Sequence, residues 1–194
     1  ELYVFKDVVT AWGNTPMACR FILTEATLAE PTYAYCTLPQ VIRKAGAESC
    51  LVSNQGRWGA YGHVCGYLFD DCRPSVYLPK LSSSRSYDSD VLAHLKSLSV
   101  SNRFVFVHLS GSHFPPDSTY PAQAAVFAGG TKMDLYDNSL HFTDKVLFDM
   151  IDWLKKERRP SFVFYLSDHG ETPRAETWRD PNHRDLWEVP MLVW

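Results

Sequence analysis

At 194 residues, 45% hydrophobic and 14% aromatic, the chain can bury a core of its own and has the composition of one soluble domain or most of one. Its formal charge of −3, from 22 acidic and 19 basic residues without long blocks of either sign, excludes the basic footprint of a nucleic-acid binder. No apolar run approaches the roughly 20 residues that span a bilayer, and residues 1–20 lack the order of a secretion signal.

Strand-like apolar runs alternate with helical patterns along the chain: LYVF, then 16–26, 38–46, CLVS, SVYL, 88–98, FVFVHLS, 132–156, FVFYLS and MLVW. This alternation predicts an α/β sandwich with a mostly parallel sheet. The clearest helix is YDNSLHFTDKVLFDMIDWLKKE, where Tyr136, Leu140, Thr143, Leu147, Met150, Ile151 and Leu154 recur at spacings of three and four. It is expected to be the right-handed crossover between two parallel strands of one sheet, those ending at Ser110 and Ser167. Two stretches rich in Ser, Pro and Gly, KLSSSRSYDSD and PPDSTYPAQAAVFAGG, read as surface loops. Neither marks a domain boundary, so residues 1–194 read as a single domain. Both ends lie inside apolar strand-like segments, ELYVFKDVVT and EVPMLVW, which predicts a piece excised from a longer protein.

Cys19, Cys36, Cys50, Cys65 and Cys72 show none of the C-x-x-C spacing of a structural zinc site. Two readings stay open. Five cysteines fit an oxidising compartment with one or two disulfides, Cys65 and Cys72 being the nearest local pair, or all five are small core residues.

The chemistry-bearing stretch is FVFYLSDHGE, residues 162–171. An apolar run led in by Pro160 and stopped by Gly170 is a buried strand, and Asp168 and His169 stand at its carboxyl end, where open α/β sheets bind ligands. Carboxylate oxygen and imidazole nitrogen are donors for a borderline metal such as zinc. FVFVHLS delivers Gly111, Ser112 and His113 in the same manner. In GNTPMACRFILTEAT, Pro16 suits a first helical turn, which makes Thr15 the expected N-cap; a hydroxyl there, beside a divalent metal, is also a candidate nucleophile. His183 lies in a polar loop before the last strand. Glu171, Glu176 and Glu188 read as solvated, and Trp178 and Trp187 as packing or rim residues.

In this order, DVVTAWGNTPMACRFILTEAT, LVSNQGRWGAYG, FVFVHLSGSHFPP, YDNSLHFTD, YLSDHGE and EVPMLVW resemble the periplasmic domain of bacterial phosphoethanolamine transferases, of the alkaline phosphatase and sulfatase superfamily. The resemblance implies a three-layer α/β sandwich and zinc-dependent transfer of phosphoethanolamine from phosphatidylethanolamine to lipopolysaccharide, lipid A or another envelope glycan. It implies Thr15 as the metal-bound nucleophile that becomes phospho-threonine, Asp168 and His169 as zinc ligands, and His113 and His183 as residues that bind substrate phosphate or a second zinc and assist proton transfer. The family's glutamate ligand, in a GES element on the first sheet strand, is not in this sequence. It is expected upstream of Glu1 together with a membrane anchor, and these residues alone are expected to bind zinc poorly. A monomer at the periplasmic face of the inner membrane is implied. Thr119 stands before Tyr120 and Pro121 where the family often has arginine, a departure that bears on acceptor specificity. The alternatives are a phosphoglycerol transferase or phosphodiesterase of the same superfamily, and a catalytically silent envelope-binding domain.

Overall fold

A computed structural model describes residues 1–31, 36–57, 65–78, 85–98, 103–157 and 160–194. The chain forms two compact units, one contiguous, Asn14–Ser110, and one discontinuous, Glu1–Gly13 with Gly111–Trp194. In chain order the elements begin with β1 (Tyr3–Phe5), α1 (Thr15–Leu23), α2 (Leu38–Lys44), β2 (Glu48–Ser53) and β3 (Ser75–Tyr77). They continue with α3 (Val91–Ser97), β4 (Arg103–His108), α4 (Lys132–Glu157), β5 (Phe164–Leu166) and β6 (Met191–Val193). None of the described helices is long and apolar enough to cross a membrane.

The contiguous unit is built on a parallel sheet in the order β3–β2–β4. As the middle strand β2 is covered on both faces, and Cys50, Leu51 and Val52 are fully buried, which is why its sequence is a continuous apolar run rather than an alternation. Leu51 packs in one cluster with Cys19 and Leu23 of α1, Leu68, Phe69, Cys72 and Phe106. The Phe69 and Phe106 rings meet edge to face at 5.5 Å. At the carboxyl end of this sheet the buried Asp88 accepts from Asn54 Nδ2 at 2.7 Å and from the Ser110 backbone at 2.9 Å. Ser86 in turn donates to Asn54 Oδ1, so the strand ends are fixed by a satisfied polar network.

No disulfide joins any of the five cysteines, so the expected Cys65–Cys72 bridge is not formed; Cys19, Cys50, Cys65 and Cys72 are buried, as the core reading has it, and Cys36 is not. Cys50 and Cys72 are fully buried, and burial pushes the Cys72 thiol up to about 11 and raises that of Cys50. Because the thiolate is the reactive form, a short iodoacetamide pulse on the native protein should label Cys36, which is only partly buried, well before Cys50 or Cys72. Peptide mass mapping reads this directly, and labelling of Cys72 at the rate of Cys36 would contradict the burial.

The discontinuous unit holds an antiparallel sheet in the order β1–β6–β5, with Tyr3 and Phe164 both opposite Val193. Its helix α4 runs 26 residues and buries Asn138, Ser139, Phe142, Thr143, Val146, Leu147 and Met150, a stripe at three-and-four spacing. Asn138 reaches off the helix: its Oδ1 accepts from the Val126 and Phe127 backbones at 2.7 and 2.9 Å and its Nδ2 donates to Phe127 O. The stretch 115–130 is therefore tied down rather than loose, with single 3-10 turns at Pro116–Ser118 and Ala122–Ala124 and with Thr119 and Tyr120 buried. Of the other expected loop, residues 80–84 lie outside the described residues, as do 58–62 of LVSNQGRWGAYG.

One expectation fails. Among the described residues the strands expected to end at Ser110 and Ser167 do not share a sheet: β4 pairs with β2 in one and β5 with β6 in the other, so α4 is not a crossover between them. The reason is the partner each strand finds. β5 is three residues long, and its ladder is extended by Val163 and Trp194, which exchange backbone hydrogen bonds, and by Ser167 N donating to Pro190 O.

Candidate metal centre and active site

Asp168 and His169 follow β5 in a turn held by its neighbours. Thr10 Oγ1 donates to the Asp168 carbonyl at 2.5 Å, and Ser167 Oγ donates to the His169 carbonyl at 2.8 Å. His169 is buried, and its Nδ1 lies 2.8 Å from the Gly170 carbonyl. A carbonyl only accepts, so Nδ1 carries the proton and Nε2 is the lone-pair nitrogen, the tautomer a metal ligand needs. Nε2 stands 3.6 Å from Asp168 Oδ2, a buried oxygen that accepts no hydrogen bond.

Gly170 explains why a glycine follows this pair. Its N–H donates to Leu186 O at 2.9 Å, and a Cβ built on it would lie 1.9 Å from the Asp185 carbonyl oxygen. The turn is pressed against the 185–188 backbone with no room for a side chain.

Glu171, read from sequence as solvated, is only 5% exposed and forms an ion pair with Arg179, whose Nη2 and Nε approach Oε1 at 3.0 and 3.2 Å. The fold that creates this pair is a closed loop. Thr172, fully buried, donates its N–H to Trp178 O and its hydroxyl to Thr177 O, and accepts from Asp180 N at 3.0 Å. The loop presents Trp178, whose ring lies 5.3 Å from that of Phe114 and 6.3 Å from that of Tyr136. Lys132 Nζ sits 4.5 Å over the Trp178 ring and donates to Ala175 O at 2.8 Å. Burial, and after it the carboxylates of Glu171, Asp185 and Asp137, push the Tyr136 hydroxyl up to about 12. Neither Lys132 nor Tyr136 stands out in the sequence as a site residue, because the signal is a contact across 46 positions of chain between residues 132 and 178.

The other two candidate histidines, His113 and His183, bond within their own loops. His113 is exposed, and its Nδ1 lies 2.6 Å from the Phe114 carbonyl, which leaves Nε2 as its lone-pair nitrogen. His183 Nδ1 accepts from Asp185 N at 3.3 Å and so caps the short turn Arg184–Leu186, and it also lies 3.4 Å from Asp185 Oδ2.

Thr15 belongs to the contiguous unit and is the first residue of α1, not its cap. Asn14 caps the helix, its Oδ1 accepting from Met17 N at 3.2 Å, and Pro16 follows within the first turn. Both Asn and Thr are good caps and Pro16 tolerates either register, which is why the sequence misplaced this boundary by one residue. Asn14→Ala should accordingly cost about 1 kcal/mol of stability in thermal unfolding, and Thr15→Ala much less; the reverse order would restore Thr15 as the cap.

The structure thus brings Asp168 and His169 together. Among the described residues no group of three His, Cys, Asp or Glu side chains is placed to hold one metal ion.

The family description Sulfatase matches residues 13–194. The chain belongs to the sulfatase family. This sulfatase-family chain is 26% identical over 222 residues to phosphoethanolamine transferase EptC of Escherichia coli strain K12, an overlap of 100% of this chain and 38% of that protein. It is 28% identical over 221 residues to phosphoethanolamine transferase CptA of Salmonella typhimurium, again over 100% of this chain and 38% of the relative. The chain therefore spans under two fifths of the length of these relatives. The crystal structure of the C-terminal periplasmic domain of Escherichia coli EptC, in complex with Zn, superposes with a TM-score of 0.89 at 24% identity, covering 100% of this chain and 62% of that one. The fold is therefore alkaline phosphatase/sulfatase-like, as the resemblance implied.

Proposed function

We propose that the chain is the catalytic part of a membrane-anchored, zinc-dependent transferase at the periplasmic face of the bacterial inner membrane. It moves phosphoethanolamine from phosphatidylethanolamine to lipopolysaccharide, lipid A or another envelope glycan through phospho-threonine at Thr15. The observation that carries this reading is the buried Asp168 Oδ2 with no hydrogen bond, 3.6 Å from the lone-pair Nε2 of His169. Two ligand atoms of one tetrahedral zinc stand about 3.4 Å apart, so the pair fits the ion. Relatives named phosphoethanolamine transferases, matched over the whole of this chain, supply the reaction class.

Asp168, His169 and Thr15 would hold the metal, which when bound supplies a Lewis acid that makes a nearby hydroxyl easier to ionise. In the first half-reaction Thr15 Oγ forms a bond to phosphorus as the bond to the diacylglycerol oxygen breaks, and the proton of the threonine hydroxyl ends on that oxygen. In the second, the acceptor hydroxyl attacks phosphorus and Thr15 Oγ leaves with a proton. The two histidines divide the remaining work. His113, with its Nε2 lone pair on an exposed ring, takes the acceptor proton, and His183 binds a phosphate oxygen.

Donor labelling tests the headgroup. Membranes carrying the intact protein should transfer label from phosphatidylethanolamine labelled in its ethanolamine. Transfer from labelled phosphatidylglycerol instead would make the chain a phosphoglycerol transferase, and no transfer from either would favour a silent binding domain.

A further inference from the structure

Trp178 gathers three features that the transfer chemistry leaves without a role: the Phe114 and Tyr136 rings beside it, and an ammonium over its face. The ammonium of Lys132 has the two partners that a small primary amine seeks, an aromatic face at 4.5 Å and a carbonyl acceptor, Ala175 O, at 2.8 Å. Three carboxylates act on the Tyr136 hydroxyl, those of Glu171, Asp185 and Asp137; Glu171 and Asp185 are paired with Arg179 and Arg174. Phe114, one residue after His113, is 46% exposed, so the cluster can be reached from solvent.

We infer that the Trp178–Tyr136–Phe114 cluster is a primary-ammonium subsite, occupied here by the chain's own Lys132, and that the ammonium of an ethanolamine headgroup takes the place of Lys132 there. The identity of that ligand rests on the transferase reading. Exposed contacts between a cation and a ring are weak, so an amine tethered through two carbons to the phosphate being transferred competes at a high effective concentration. Displaced Lys132 swings into solvent on its long stem at little steric cost. A glycerol headgroup has no cation to exchange, so the subsite selects the donor by charge rather than by size.

Titration of the intact protein with O-phosphoethanolamine, glycerol 3-phosphate and glucosamine, read by indole fluorescence, tests this; Trp178→Leu identifies the signal among the six tryptophans. The expected result is binding of O-phosphoethanolamine at least about tenfold tighter than glycerol 3-phosphate. Lys132→Met, which removes the competing ammonium, should tighten it severalfold while leaving glycerol 3-phosphate unchanged, and Trp178→Leu should erase the preference. Equal binding of the two phosphates by the unaltered protein overturns the subsite whatever the variants do, and so does weaker O-phosphoethanolamine binding in Lys132→Met. Glucosamine binding as tightly as O-phosphoethanolamine would assign the slot to an acceptor amine and overturn the donor assignment. Phospho-threonine forming normally in a protein without ammonium preference would leave the transfer reading standing and sink this one alone.

Discussion

Thr15→Ala is expected to yield a protein that folds normally, binds donor lipid and never acquires the mass of a phosphoethanolamine group. The cap of α1 is Asn14, so the alanine variant keeps the hydrogen bond from Met17 N that starts the helix, and loss of activity cannot be assigned to a frayed terminus. Removing the nucleophile of a covalent mechanism should lower transfer by about 10⁴-fold or more, to the background of lipid without enzyme. Thr15→Ser keeps a hydroxyl at the same backbone position and should retain part of the activity and the adduct. Intact-mass measurement after incubation with phosphatidylethanolamine discriminates the three proteins. A phosphoethanolamine adduct that persists in Thr15→Ala would show that another residue is the nucleophile.

Gly170→Ala is expected to cost at least about 3 kcal/mol, equivalent to a fall of about 6–12 °C in Tm for a chain of this size. The cause is space alone. Its Cβ would stand 1.9 Å from the Asp185 carbonyl oxygen and 3.0 Å from the carbon, both backbone atoms that cannot rotate away. To relieve this the turn must retreat from residues 185–188, which breaks the bond from Gly170 N to Leu186 O and shifts Asp168 and His169 with it. Zinc affinity of the intact enzyme should therefore fall together with Tm. An unchanged Tm in a calorimetric scan would mean that the turn has slack, and the glycine would lose this explanation.

What the sequence reveals depends on how far apart the interacting residues are. The helix read over 132–156 is observed over Lys132–Glu157, because a three-and-four apolar stripe is written locally. The strand at 103–108, where Phe106 is buried, and the polar turn after Leu166 were likewise visible in a few consecutive residues, but the run 162–166 is not the buried strand expected, since Phe162 and Phe164 are exposed. Sheet membership was not, since the partner of β5 lies some 27 residues further along in β6 and nothing in FVFYLS specifies it. Glu171 misled because its environment is made by Arg179 and by the loop that Thr172 closes, contacts no composition rule contains. The pair Asp168–His169 was legible as metal-ligand chemistry, but the tautomer that supports it depends on where the Gly170 carbonyl points.

The pairing of β1 with β6 sets an order of events during synthesis. Tyr3 must wait for Val193, nearly the whole chain later, and β6 is the middle strand on which both β1 and β5 depend. Among the described residues the sheet β3–β2–β4 lies wholly within Asn14–Ser110, which can fold while the ribosome is still adding α4, at about 5–20 residues per second. At that rate the apolar strand Tyr3–Phe5 is exposed without a ladder for about 10–40 seconds and Phe164–Leu166, made later, for about 1–6 seconds, and these are segments a holding chaperone would meet. A premature stop before Met191 deprives both strands of their partner at once, leaving a chain with one finished sheet and two open apolar segments ready for aggregation.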